Sequence, residues 1–290
     1  MKRIITLLGM SAILMCSLCG CMRGRRGETQ TYDTESILTE EDIQENVHDD
    51  EMTATTEDVE DESTEKITDK ATEQVGQMAD EEYAEYTNMY YEILDSMYQM
   101  ICAGPEDYDY IDGTNGIGEL IMSGDDNVLE QVGFTFEDVN QDGTVELIIG
   151  AIYEDDTTYQ SQTIYTVYTY KDTPHLILEG WSRNRCYLLE DGTFYSEGSA
   201  GAMYSIFENV KLESGATEVS YIDYYFSHEK DENFEEIGFY HNQTGDWEVS
   251  VSEEMEEDAY WAKSAEYSEK IKTLTFYPFT SYEYTGAHED

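Results

Sequence analysis

The residues best arranged for chemistry run Asp138-Val139-Asn140-Gln141-Asp142-Gly143-Thr144-Val145-Glu146. A hard cation such as Ca²⁺ takes six to eight oxygen ligands, and alternate positions of a tight loop supply them. Asp138, Asn140 and Asp142 offer side-chain oxygens from positions 1, 3 and 5. Gly143 permits the sharp turn, Thr144 offers its main-chain carbonyl, and Glu146 closes the set at position 9. The reading is a Ca²⁺ site on these five residues. A bare Asx-rich turn, with Asp142-Gly143 as an ordinary turn signal, is the simpler use of the same segment.

The spacing is not that of an EF-hand. The bidentate acid of that loop comes at position 12, where this chain has Ile149. The segment resembles instead the D-x-[DN]-x-D-G-x-x-[DE] loop of FG-GAP repeats, which joins two strands. FTFE before it and VELIIG after it suit such strands. The resemblance covers one copy of about nine residues, so it implies an ion site and not a propeller.

Other constellations carry less. Gly198-Ser199-Ala200-Gly201 is neither a nucleophile elbow nor a phosphate loop, and reads as a glycine kink where another backbone comes close. Glu197 beside it is the acid on which a hydrolase would depend. The histidines at 48, 175, 228, 241 and 288 form no zinc pattern. Trp181, Trp247, Trp261 and the surface share of 25 tyrosines would serve either as core or as a stacking platform for sugar or peptide. Cys102 and Cys186 are either bridged or separately buried.

These residues need elements to hold them. Tyr86, Tyr90, Ile93, Met97 and Ile101 recur at spacings of three and four, an amphipathic helix that Gly104-Pro105 ends. A second helix is expected over 117–130. From 132 to 251 the period changes to two. Strands are expected at 132–137, 145–153, 162–170, 175–180, 184–189, 193–197, 203–212, 216–226, 236–241 and 246–251. Asp191-Gly192 is the strongest hairpin signal. A helix over 253–270, with Trp261, Ala265 and Ile271 inward, and a strand-like LTFYPF close the chain. The fold class is α+β, with antiparallel meander sheets packed against an N-terminal and a C-terminal amphipathic helix.

Charge excludes whole classes of partner. In 290 residues, 65 Asp and Glu face 15 Lys and Arg, a formal charge of −50. A nucleic-acid partner needs a basic field that this chain lacks. Between Gly27 and Met78 eighteen acids meet two lysines, so 21–78 reads as a disordered acidic tether that cannot bury enough apolar surface to order. An ideal coil of that length would span ~40 Å, and like charges extend it further. The folded part is expected over 79–290.

The address lies at the start. Lys2 and Arg3 precede a mostly apolar run from Ile4 to Leu18, shorter than the ~20 residues of a membrane span. The run ends Leu18-Cys19-Gly20-Cys21, which resembles the lipobox of bacterial lipoproteins, where a small residue precedes the acylated cysteine. Gly20 before Cys21 meets that need. Met15 before Cys16 and Leu18 before Cys19 do not. The resemblance implies that 1–20 is a signal peptide, that Cys21 is lipidated, and that the protein sits on the extracytoplasmic face of the cell membrane. The mature chain then keeps 65 acids and 13 bases.

The larger layout is similar to a group of lipoproteins of Gram-positive gut-type bacteria that pair a Tyr-rich helix, a D-x-[DN]-x-D-G-x-x-E-L loop and a D-G-T-x-Y-x-E-G-S-x-G-A stretch, here Asp191 to Ala202. No activity comes with the likeness. With no catalytic set evident, the expected function is a non-catalytic binding module, Ca²⁺-stabilised, for an extracellular carbohydrate or protein. The rival is a carboxylate hydrolase of envelope or environmental polymers.

Overall fold

Why the first helix breaks is visible at Tyr90. In the computed structural model, which describes 78–286 apart from 109, 125–126, 154–157, 202 and 232–235, the expected helix is two. These are α1 (Asp80–Met89) and α2 (Tyr91–Ala103). Tyr90 leaves the helical region, at φ −110° and ψ 15°. Its ring is fully buried, and its hydroxyl donates to the Val145 carbonyl at 2.7 Å. That bond joins the helix pair to the end of the Asp138–Glu146 loop. Met97 and Ile101 lie in the same core, as the spacing requires.

The expected 117–130 helix is also split, into α3 (Asn115–Ser123) and α4 (Val128–Gln131). Gly124, at φ +78°, caps α3 in the left-handed conformation.

The strands follow as β1 (Val132–Glu137), β2 (Glu146–Ala151), β3 (Gln160–Ser161), β4 (Ile164–Lys171), β5 (Thr173–Glu179), β6 (Asn184–Leu188), β7 (Phe194–Gly201), β8 (Tyr204–Leu212), β9 (Val219–Glu229), β10 (Ile237–Asn242) and β11 (Glu253–Met255). Helix α5 (Glu257–Ser268) and two short strands, β12 (Leu274–Thr275) and β13 (Tyr277–Pro278), end the chain. Eleven strands form one sheet in the order β11-β10-β9-β8-β7-β6-β4-β2-β1-β13, with β5 also on β4. Every pairing in it is antiparallel. From β6 to β11 it is the expected meander. The departure is β13, which returns from the far end of the chain to pair with β1.

Three expectations for the C-terminal part are corrected. Residues 246–251 are not a strand but a loop leading into a 3₁₀ turn at Val249–Val251. The 253–270 helix starts at Glu257, because Glu253–Met255 pairs with β10 as an edge strand. Its inward face is also different. Trp261 is 47% exposed and Ala265 is exposed, while Tyr260 is fully buried, with Tyr267 packed beside it; of the three expected residues Ile271, past the helix end, does pack against this core. The stripe is therefore Tyr260–Ser264–Tyr267, at i, i+4 and i+7.

The two faces of the sheet are filled differently. Along β1, β2 and β4, one face (Phe134, Phe136, Leu147, Ile149, Tyr168) packs under α1–α4. The opposite face (Ile148, Val167, Phe194, Val210) packs around Phe276. Each such side chain removed from water contributes roughly 1.5–3 kcal/mol. Along β7 to β10, Phe207 and Tyr225 face α5. Residues of opposite parity, Ile206, Glu208, Tyr224 and Phe226, point to the other side.

Candidate functional site

The sequence-predicted loop closes on itself. Asp138 accepts the Asp142 N–H at 3.1 Å on Oδ1 and the Gly143 N–H at 2.9 Å on Oδ2. Asn140 Oδ1 also accepts the Asp142 N–H, at 3.1 Å. Asp142 Oδ1 accepts from the Thr144 N–H and Oδ2 from the Gly215 N–H, each at 2.8 Å. Two residues take positive φ to make this turn, Gln141 at 59° and Gly143 at 89°. Burial would raise the Asp142 pKa, but the Gly215 and Thr144 donors outweigh it and hold this carboxyl below its ordinary value.

Glu146, the last of the five, opens β2 and is fully buried. Its Oε2 accepts the Val139 N–H at 3.1 Å and its Oε1 the Thr169 hydroxyl at 2.9 Å. Burial pushes its carboxyl up to about 7, and the Asp142 and Asp138 charges add to the rise. In residue type this set fits a hard cation: three carboxylates, an amide oxygen and a main-chain carbonyl, all oxygen. The arrangement fits less well. Among the described residues no group of three or more His, Cys, Asp or Glu side chains stands close enough to hold an ion.

Most other sequence candidates are tied into the scaffold. Glu197 makes an ion pair with Arg185 at 2.9 Å and accepts the Tyr195 hydroxyl at 3.0 Å. Gly198 is the expected close approach, since a Cβ there would stand 2.4 Å from the Arg183 carbonyl. Cys102 is exposed and Cys186 buried, and both are free thiols. Burial pushes the Cys186 thiol up to about 12, which leaves it inert. His241 Nε2 lies 2.7 Å from Asp223 on the α5 side of the sheet. Cys21, the signal peptide, His48, His288, Ala202 and the tether up to residue 77 lie outside the described residues.

What the sequence reading missed is Glu208. It sits in mid-β8, opposite Ser196 on β7 and Tyr224 on β9. A hollow of about 350 Å³ opens over it, walled by Trp181, Arg183 and Asn184 on one side and Tyr221, Tyr224 and Gly245 on the other. That volume lies within the range of small-ligand sites. Among the described residues no donor or cation reaches the Glu208 carboxylate, and burial pushes it up to about 7. The Tyr221 and Tyr224 rings meet edge to face, with centroids 5.8 Å apart.

The hollow is held open by the backbone around it. Trp181 and Asn184 exchange main-chain bonds at 2.8 and 2.9 Å, which fixes the 181–184 turn. On the other wall Asn242 Oδ1 accepts from the Thr244 and Gly245 N–H groups, each at 3.0 Å. Gly245 has φ +76°, and a Cβ there would stand 2.3 Å from the Tyr221 ring. The available signal was an acid at a position facing the same side as Ile206 and Val210 on a strand with period two. In a chain with 65 acids it is easily passed over.

A second hollow, of about 440 Å³, lies on the opposite face beside Trp261 and Phe239. Its polar groups have partners: Ser205 Oγ lies 2.9 Å from the Tyr260 hydroxyl, and Trp261 Nε1 donates to Glu257 at 3.4 Å. Of the two, the Glu208 hollow is the one whose acid has no donor among the described residues.

No family model matches the chain, and neither a curated protein nor a solved structure matches it.

Proposed function

We propose that this chain is a lipoprotein held by Cys21 on the extracytoplasmic face of the membrane, with a domain that binds a ligand without transforming it. The observation that carries the binding reading is the Glu208 hollow, where aromatic walls stand around an acid with no protein donor among the described residues. Convergent rings with a few polar groups are the usual make-up of a ligand pocket. Binding is tested on carbohydrate and peptide arrays with the parent and Tyr221→Ala. Ligands lost on truncation support the reading, and ligands captured equally by both move the function elsewhere.

Ca²⁺ enters this proposal as a stabiliser of the Asp138–Glu146 loop, not as a reactant. Asp138, Asn140, Asp142, Thr144 and Glu146 would hold it, and it would supply the positive charge that a buried Glu146 beside two aspartates lacks. The anchor is tested separately. Cys21→Ser should appear in the soluble fraction and fail to take up a fatty-acid probe. Continued labelling and membrane retention would overturn the lipobox reading.

A hydrolase is the second reading, and one observation favours it. A carboxyl that keeps its proton near neutrality suits a general acid. The Asp246 charge reaches Tyr221 and Tyr224, as that of Glu208 does. Turnover of a glycan lost in both Glu208→Gln and Asp246→Asn would establish it.

A further inference from the structure

The polar groups of the Glu208 hollow are unequally engaged. Asn184 Nδ2 donates to the Glu179 carbonyl at 3.1 Å, and Ser196 Oγ lies 3.2 Å from Cys186 Sγ. Arg183 Nη2 donates to the Ser199 carbonyl at 3.2 Å, from an exposed position at the rim. Among the described residues the Glu208 carboxylate has no such commitment, and the Trp181, Tyr221 and Tyr224 rings line the hollow beside it. Each of these attracts positive charge. A carboxylate does so directly, and an aromatic face through its quadrupole, most strongly where water is excluded.

We propose that this hollow takes the ammonium group of a small organic cation, with Glu208 as counter-charge and Trp181, Tyr221 and Tyr224 as the aromatic wall. This deepens the binding reading and rests on it. A neutral polyol is the poorer match. It brings many hydroxyls that each need a partner, while the Asn184 amide N–H and the Ser196 hydroxyl are engaged and only the Arg183 guanidinium, at the exposed rim, has donors to spare. A carboxylate or phosphate would meet Glu208 as a like charge. An organic cation is also drawn by the field of a chain carrying a formal charge of −50.

Two glycines keep room for such a group. A side chain at Gly245 would displace the Tyr221 ring, and one at Gly198 would displace the 181–184 turn that carries Trp181. Neither glycine is needed to fill a core. Both lie in the lining of the hollow.

The test is calorimetric titration of the full chain with tetramethylammonium and n-butylammonium chloride, against sodium chloride at matched ionic strength and against glucose. Saturable binding of at least one ammonium probe is expected. It should weaken roughly tenfold or more in Glu208→Gln and in Tyr221→Ala, the loss of about one cation–π or charge contact. Tyr221→Phe keeps the ring and should bind like the parent, as should Glu257→Gln in the opposite hollow. Circular dichroism of each variant, matched to the parent, separates lost binding from lost folding. Ammonium binding unchanged in Glu208→Gln, or no saturable response to either ammonium probe, overturns the proposal. Saturable glucose binding that needs Tyr221 but not Glu208 overturns the ligand class while leaving the binding reading intact.

Discussion

Glu146 and Glu208 have the same chemistry and nearly opposite surroundings. Burial lifts both carboxyls to about 7. Glu146 answers its burial with two donors, the Val139 N–H and the Thr169 hydroxyl. Glu208 is only half-buried and has no protein donor among the described residues, and its carboxylate opens to the hollow above it. A buried acid that is hydrogen-bonded belongs to the architecture, because its removal strands its donors. A partly desolvated acid with no protein donor is less stable when ionised, and an arriving ligand can offset that cost. On the proposed reading this contrast separates a fastening, the loop, from a receptor, the hollow.

Truncation breaks this comparison most directly. Glu146→Ala leaves the Val139 N–H and the Thr169 hydroxyl without their acceptor and opens a void beneath β2. The expected loss is about 2–4 kcal/mol, read from urea unfolding in chelator. Glu208→Ala removes a charge that no group in the sheet answers, so at neutral pH stability should stay the same or rise. Equal losses at the two sites would mean that Glu208 is as structural as Glu146.

The turn glycines sharpen the same contrast. Gly143 in the loop and Gly245 at the hollow have φ of +89° and +76°. Alanine at either costs about 1 kcal/mol for the left-handed conformation alone. At Gly143 nothing lies within 4 Å of the added Cβ, so the cost should stop there. At Gly245 the Cβ would press on the Tyr221 ring, and Gly245→Ala should lose a further ~1 kcal/mol together with ammonium binding. Unfolding and titration of the two variants side by side would show whether loop and hollow separate in this way.

Calcium probes the loop alone. An ion that binds the native loop and not the unfolded chain stabilises by RT ln(1 + [L]/Kd). With affinity in the ~10⁻⁴–10⁻³ M range of extracellular modules, millimolar Ca²⁺ should contribute about 1 kcal/mol, seen as a rise in Tm. Asp138→Ala or Asp142→Ala should abolish the rise, and Glu208→Gln should keep it. Mg²⁺ at matched ionic strength controls for general screening of a very acidic chain. Equal effects of both ions, unchanged by the aspartate variants, would leave the segment an Asx turn.

How much of this could be read from the residues follows the range of the interactions. Period-two patterning located β1, β6 and β8 within about a residue, because a half-buried strand writes its register into its own side chains. Asp191-Gly192 gave the β6–β7 hairpin for the same local reason, with Gly192 at φ +83°. The helix break at Tyr90 was hidden because its cause is the Val145 carbonyl, 55 residues away in the chain. Asp95, fully buried in α2, was invisible likewise: it accepts the Tyr282 hydroxyl at 2.6 Å from the far end of the domain. The tight turn over Asp138–Glu146 was legible because nine consecutive residues define it. The Glu208 hollow is assembled from the 181–184 turn, three strands and the 243–246 loop, and no window of sequence contains it.

The same distinction can be tested by a difference in pH dependence. Glu208 titrates near 7 in the folded chain against an ordinary 4.5. Between those values the folded state holds a proton that the unfolded state has released. Its contribution to stability is therefore greatest at low pH, falls as pH rises from about 4.5 to about 7, and is flat above. The groups facing it are Arg183 from the turn, Asp246 from the loop, Tyr221 and Tyr224 from β9, and the Cys186 thiol from β6. Burial raises both phenols and the thiol, so none of the three releases a proton in this window. Arg183 and Asp246 are common to parent and variant. A chain this acidic also loses stability with rising pH through general self-repulsion, so the decisive quantity is the parent minus Glu208→Gln. The melting temperature of the parent should fall more steeply between pH 4.5 and 7 than that of Glu208→Gln, and the two curves should run parallel above. An ammonium ligand at saturation should shrink the difference, because it supplies the charge that the ionised carboxylate lacks. Parallel curves throughout would mean that water or a neighbouring group already satisfies Glu208, and the distinction between fastening and receptor would fall with it.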